Sequence, residues 1–291
     1  MKERSIPREQ NIETIDWQGT VVKNMLAQGL SRIQGGLQRT NLFADRLVPP
    51  LELMFDGAAS EAEFKNTGEG FTRHFLIEHA RLQPHEKVLD VGSGIGQKAR
   101  VLTRYLSSEG AYEGFDIVDA GVAWCQERYR RYPNFHFQLA DIYSKHFNPG
   151  GKCKGSEYRF PYEDEAFDLV FLSSVFTHML PQDVEHYLAQ IARVLKQGGR
   201  CVITFFLLNP EAQRRMGAGL NTIEVPFELD PGKCRIADPD IPEAIVAYDE
   251  QYIRSLYDLN GLSVTEITYG FWCGRREIWS CLQDVVTAVK E

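Results

Sequence analysis

An α/β fold is what this sequence predicts, and three observations carry the prediction. Short apolar runs rich in β-branched residues alternate with stretches of helical periodicity between residues 87 and 207. A glycine-rich turn, G-S-G-I-G over Gly92 to Gly96, lies between the first such run and its helix. With 43% apolar residues in a chain of 291, there is enough material for a sizeable core. That length suits one large α/β domain with additions, or two small domains.

The first strand is Lys87 to Val91, with Val88, Leu89 and Val91 apolar and Asp90 near its end. From Gln97 to Leu106, Val101, Leu102, Tyr105 and Leu106 fall at helical spacing. Strand, glycine loop and helix form a ligand cradle whose mouth is a helix N-terminus. A dinucleotide fingerprint, G-x-G-x-x-G, requires glycine where Gln97 stands. Asp90 also opposes a pyrophosphate, because a carboxylate repels phosphates. An acid before G-x-G-x-G suits a ligand carrying an ammonium or sulfonium group.

Further along, Tyr112 to Asp116 is a second strand that ends in an acid 26 residues after Asp90. That separation fits a carboxylate accepting hydrogen bonds from the two hydroxyls of a ribose. Gly121 to Arg131 is a helix with Val122, Cys125 and Tyr129 inward. Phe135, Phe137 and Leu139 alternate as a third strand leading to Ala140-Asp141-Ile142. Phe167 to Ser174, F-D-L-V-F-L-S-S, is a fourth buried strand. Pro181 to Leu195 is a helix with Val184, Tyr187, Leu188, Ile191, Ala192 and Leu195 on one face, stopped by Gly198-Gly199. Arg200 to Leu207 is the fifth strand.

In order and spacing, the acid with G-x-G-x-G, the acid after the second strand, F-D-L-V-F and L-K-Q-G-G-R-C-V-I-T resemble the class I S-adenosylmethionine (SAM) dependent methyltransferases over about residues 87–207. The resemblance implies a Rossmann-like, mostly parallel sheet of seven strands, the last of them antiparallel. It places Leu262 to Tyr269 and Asp284 to Lys290 as the final hairpin, after a helix from Tyr252 to Leu259 closed by Asn260-Gly261. It implies SAM as cofactor, held by Asp90, Gly92, Ser93, Gly94, Gly96, Asp116, Ile117, Asp141, Ile142 and Ser173. Asp141 would meet the adenine amino group and Ile142 would pack on its ring. Ser173-Ser174-Val175-Phe176 stands where amine-methylating nucleic-acid enzymes carry N/D-P-P-Y. His178, just past the fourth strand, sits where several small-molecule O-methyltransferases carry a general base. His186, two helical turns on, is a poorer candidate.

Around this centre, residues 1–80 read as an N-terminal helical extension and residues 81–291 as the SAM-binding domain, with insertions at 143–164 and 208–247. Within the extension, Val22, Met25, Leu26, Leu30, Ile33 and Leu37 share a helical face, and Pro49-Pro50 reads as a linker. Ser60-Glu61-Ala62-Glu63 is a capping box, followed by Phe64 and then Phe71, Phe75, Leu76 and His79 near one side. These helices are expected over the cofactor or as a dimerisation arm. The 143–164 insertion is locally basic, through Lys145, His146, Lys152, Lys154 and Arg159, and with Arg214-Arg215 it suggests an anionic acceptor. The 208–247 segment, with five prolines, reads as a lid, and Trp272, Cys273 and Arg275 as a loop at the pocket or over the sheet edge.

Net charge is −8 with no long basic run, which opposes general nucleic-acid binding. Six scattered cysteines have neither C-x-x-C nor zinc spacing, so no metal is expected and reduced thiols in the cytoplasm fit. The opening residues lack the apolar core of a signal peptide, and no run suits a bilayer span. The sequence thus points to methyl transfer to a small molecule, at oxygen first, with carbon, nitrogen or a peptide or lipid carboxylate as alternatives. From another class, a non-catalytic SAM-binding regulatory subunit remains open.

Overall fold

The computed structural model describes residues 45–55, 57–275 and 281–291. The helical face expected between Trp17 and Leu37 lies outside these residues. The centre is a seven-stranded sheet in the order β10-β11-β5-β4-β1-β2-β3. Its strands are β1 Lys87–Val91, β2 Ala111–Asp116, β3 Phe135–Leu139, β4 Phe167–Leu172, β5 Leu195–Phe205, β10 Leu262–Thr268 and β11 Asp284–Lys290. Strands β3, β2, β1, β4 and β5 run parallel, and β11 is antiparallel to both β5 and β10. The order reverses between β1 and β4, so the crevice beyond their C-terminal ends is where such sheets take ligands.

Alternation along each strand divides the core between two faces. Leu89, Val91, Val170, Leu172 and Ile203 pack under helices α4 (Pro181–Val194) and α6 (Glu250–Leu259). Val88, Leu169, Phe171 and Val202 pack under α1 (Glu61–Phe71), α2 (Gln97–Leu102) and α3 (Asp119–Arg128). The amphipathic face expected of α4 is buried through Val184, Tyr187, Leu188 and Ile191. The seven-stranded α/β reading therefore holds, with several elements placed differently.

The Ser60 hydroxyl does cap α1 by accepting the Glu63 N–H at 3.1 Å, but the Glu63 carboxylate reaches back one residue further, to the Ala59 N–H at 2.9 Å. Beyond Phe71 the helix widens into a π-helix, Thr72–His79, which buries Phe75 and Leu76. Pro49-Pro50 is no free linker: Leu47, Pro49 and Met54 are buried, and Asp45 accepts from Arg100 at 2.9 Å. Leu139 is 48% exposed, because β3 is the sheet's outer strand and only Phe135 and Phe137 turn inward. Helix α4 ends at Val194, and Leu195 already pairs with Phe167, so Gly198-Gly199 lies in an irregularity of β5 instead of stopping a helix.

The 208–247 segment contains helix α5 (Pro210–Gly217) and much of a second sheet, order β6-β9-β8-β7. Its strands are β6 Leu207–Leu208, β7 Phe227–Asp230, β8 Cys234–Ile236 and β9 Val246–Asp249. Trp272, Cys273 and Arg275 are interior: the Trp272 indole N–H donates to Asp284 at 2.7 Å, and Arg275 pairs with the same carboxylate at 3.1 Å. Among the described residues no helix is long and apolar enough to cross a membrane.

Candidate active site

The site begins with β1 and the turn that follows it. The N–H groups of Gly92 and Ser93 both donate to the Phe115 carbonyl, at 2.9 and 3.0 Å, which folds the loop over the end of β2. Gly92 (φ +82°) faces the chain beyond β4, where a Cβ would run into Val175. Gly94 (φ +55°) differs: a Cβ built there meets nothing within 4 Å. The open side of the loop is therefore at Gly94, at the C-terminal edge of the sheet.

Two acids lie at the loop, Asp116 beside that opening and Asp90 beneath it. Asp116, 8% exposed, accepts the Gly94 N–H at 2.7 Å on one oxygen and the Val118 N–H at 2.8 Å on the other. A carboxylate has about four lone-pair directions in all. Asp90 is buried beneath the loop at 1% exposure, where the Tyr112 hydroxyl donates to it at 2.7 Å. Burial raises its pKa to about 7, while the Tyr112 hydrogen bond and Lys98 pull it down. Opposite Asp90 in the parallel register stands Gly114, whose missing side chain makes room for Ser93 and the Tyr112 hydroxyl. Ser93 Oγ is buried without a hydrogen-bond partner among the described residues.

The remaining predicted residues lie at the same edge but in different settings. Ile117 packs partly buried against the core, Ile142 is 4% exposed, and Ser173 is half-buried. Asp141 serves the insertion: its carbonyl accepts the Cys153 N–H at 2.9 Å, and Lys152 lies 3.5 Å from its carboxylate. The insertion's basic side chains are matched locally. Lys154 pairs with Glu157 at 3.2 Å, Arg159 with Asp164 at 4.0 Å, and Lys145 donates to the Asp240 carbonyl at 2.6 Å. Arg215 pairs with Glu211 at 2.8 Å. The pairs of Lys152, Lys154 and Arg159 are exposed, and the Lys145 partner is a neutral carbonyl.

His178 ends a 3-10 turn, Phe176–His178, between β4 and α4. Its Nδ1 lies 3.1 Å from the Glu243 carbonyl. Phe147 meets the ring edge-on at 5.1 Å, and His146 lies parallel at 6.3 Å. Burial lowers the pKa to about 4, helped by His146 and opposed by the Glu243 carbonyl, so the imidazole is neutral near pH 7. His186 instead donates to the Tyr158 carbonyl at 2.9 Å and tethers α4 to the insertion.

Sequence reasoning missed Tyr112, Lys98 and Phe55. Tyr112 reaches Asp90 only through strand pairing, and Lys98 lies 5.7 Å over the Phe71 ring. Phe55 packs against Gly121 on α3, a glycine that also lies close to the Gly94 carbonyl. Its only signal was an aromatic residue in a short segment after Pro49-Pro50. Among the described residues no group of His, Cys, Asp and Glu is arranged to hold a metal ion.

Comparison with known proteins bears on the fold and the kind of domain. Residues 89–203 match the family model of a methyltransferase domain. A sterol 24-C-methyltransferase of Gibberella zeae is 28% identical over 45% of this chain and 32% of its own length. A demethylmenaquinone methyltransferase of Tropheryma whipplei is 30% identical over 42% of each chain. A solved structure from Burkholderia thailandensis, 1,6-didemethyltoxoflavin-N1-methyltransferase with bound 1,6-didemethyltoxoflavin and S-adenosylhomocysteine, superposes with a TM-score of 0.50 at 16% identity, covering 89% of this chain and 93% of that one. The chain spans less than half the length of these two curated relatives. Over residues 89–203 the chain is thus similar to a methyltransferase domain, on a fold it shares with the Burkholderia enzyme.

Proposed function

We propose that the chain transfers a methyl group from SAM to an uncharged small organic acceptor, at an oxygen atom, with His178 as general base. The observation that carries the reading is the glycine loop, open at Gly94, with Asp116 beside it and Asp90 beneath it. When bound, SAM supplies an electrophilic methyl carbon on a good leaving group, so most of the catalysis is alignment.

In this reading Asp116 takes the ribose hydroxyls while holding the loop, and Asp90 with Ser93 answers the cationic amino-acid end. Gly92, Gly96, Ile117 and Ser173 shape the cradle, and Asp141 and Ile142 border the adenine. Helix α1 and its π-helical continuation cover the cofactor side, supported by the close packing of Gly68 on the Gln97 carbonyl. The acceptor is read as uncharged because Lys152, Lys154 and Arg159 of the insertion already pair with carboxylates. His178, neutral and beside Phe147, has the protonation state a base needs. Its low pKa favours an acceptor with a readily lost proton, such as a phenol or enol, since a weak base needs an acidic partner. Six free cysteines support a reducing, cytoplasmic setting.

A carbon acceptor is the second reading, favoured by the 24-C chemistry in the name of the Gibberella relative. Incubation with methyl-labelled SAM and a cell extract tests both, with the labelled product identified by mass spectrometry. An oxygen-methylated product supports the first and a carbon-methylated product the second. Cofactor retention without any labelled product would leave a SAM-binding regulatory subunit as the better description.

A further inference from the structure

The two insertions meet at a short turn, Pro242–Ala244, between the 208–247 segment and His178. Three contacts hold that turn. The Glu243 carboxylate accepts the Lys145 backbone N–H at 3.0 Å, and the Lys145 ammonium donates to the Asp240 carbonyl at 2.6 Å. The Glu243 carbonyl is the partner of His178 Nδ1 at 3.1 Å. Nearby, the Tyr248 hydroxyl on β9 donates to the Met179 carbonyl, one residue beyond His178. The loop after β4 is therefore tied to the 242–244 turn at His178 and to the second sheet at Met179.

A carbonyl oxygen can only accept, so Nδ1 must carry the hydrogen. In a neutral ring this leaves the lone pair on Nε2. An imidazole in water prefers the opposite tautomer, with the hydrogen on Nε2 and no basic lone pair there. The Glu243 carbonyl thus does for His178 what an orienting carboxylate does for a catalytic histidine. Phe147 and His146 restrict the ring plane, and the Ala244 backbone, next along the same turn, also favours a hydrogen on the ring.

We infer that Glu243 is a positioning residue: its side chain, gripped by the Lys145 N–H, holds the 242–244 turn so that its carbonyl fixes His178 with Nδ1 protonated and Nε2 basic. The inference rests on the reading of His178 as the base and deepens it. It makes the two insertions, both additions to the minimal fold, jointly responsible for readying that base. Placement of the 208–247 segment and readiness of the base become one event.

The test reads the tautomer directly and needs no acceptor. In ¹⁵N-labelled protein at pH 7.5, long-range ¹⁵N–¹H correlations distinguish protonated from bare ring nitrogens, and the His178 signals are those lost in His178→Gln. The wild type is expected to show protonated Nδ1. Glu243→Ala should shift the tautomer ratio toward protonated Nε2 by roughly fivefold or more, the scale of one hydrogen bond. Glu243→Gln, whose amide oxygen still accepts the Lys145 N–H, should match the wild type. Unchanged binding of S-adenosylhomocysteine by calorimetry confirms that Glu243→Ala is folded; if it is not, Glu243→Asp, one methylene shorter, takes its place. A wild type protonated on Nε2, or a tautomer ratio indifferent to Glu243→Ala, overturns the inference. Normal turnover in His178→Ala would instead remove the base reading, a separate outcome from the tautomer.

Discussion

The hydroxyl of Tyr112 on β2 donates to the carboxylate of Asp90 on β1 at 2.7 Å, in an interior where Asp90 is 1% exposed. One hydrogen bond does not offset the loss of water around a carboxylate, so the proton is held up to about pH 7. The unfolded chain releases that proton near 3.8, the ordinary value for an aspartate. This group's stabilising contribution is therefore full below that value and is lost as pH rises toward 7. Asp90→Asn should remove the loss, so that the variant gains on the wild type by on the order of 2–3 kcal/mol between pH 5 and 8. Urea denaturation of both proteins at the two pH values checks the sign and the size.

His178 shifts the other way. Its folded pKa of about 4 lies below the ordinary histidine value of 6.5, so stability from this group is present above pH 6.5 and is lost as pH falls through 4. His178→Gln should flatten the acid side of the stability profile, read by thermal melting between pH 4 and 7. His178→Ala should keep affinity for S-adenosylhomocysteine while lowering labelled-methyl turnover by roughly 10²-fold, the usual scale for a lost general base. An equal fall in cofactor affinity would mean that the residue serves binding.

Arg100 on α2 is 5% exposed and meets Asp45 at 2.9 Å, which ties the segment before α1 to the helix that opens at the glycine loop. Removing one partner strands a buried charge. Asp45→Ala should cost roughly 2–3 kcal/mol, at or below the lower end for buried pairs because Asp45 is partly exposed. Chemical denaturation measures it directly, and a loss below the scatter of the fits would show that the segment is not part of the cooperative unit.

The insertion offers a contrasting expectation. Its pairs Lys152–Asp141 and Lys154–Glu157 are exposed on both sides. Lys152→Ala with Lys154→Ala should leave the melting temperature within about 2 °C. The double variant should also leave KM for an identified acceptor unchanged from low to high salt. A KM that rises with salt in the wild type but not in the variant would restore the anionic acceptor.

What could be read in the sequence was local. Lys87 to Leu102 is legible because apolar alternation, three glycines and helical spacing all act within a few residues. The acid ending β2 was legible for the same reason. The Tyr112–Asp90 hydrogen bond and the space at Gly114 depend on the pairing of Lys87 with Ala111, a register no local pattern announces. The second sheet escaped because its strands are two to four residues long and β7 is mostly exposed. Leu195 suits the end of a helix or the start of a strand, and pairing with Phe167 decides it. His178 was found as a residue type in a loop, but its tether to Glu243 joins positions 65 apart in the chain.

The central claim, that a nucleoside cofactor occupies the open side of the glycine loop, is tested most directly at Gly94. A Cβ there touches nothing in the protein, so Gly94→Ala should cost only about 1–2 kcal/mol of stability, the strain of a left-handed residue. In the proposed reading the same methyl group projects into the cradle. Calorimetric titration with S-adenosylhomocysteine should show one site per wild-type chain and at least about a tenfold weaker one in Gly94→Ala, a loss of about 1.4 kcal/mol or more. A wild-type protein that does not bind, or a variant that binds equally well, would contradict the account.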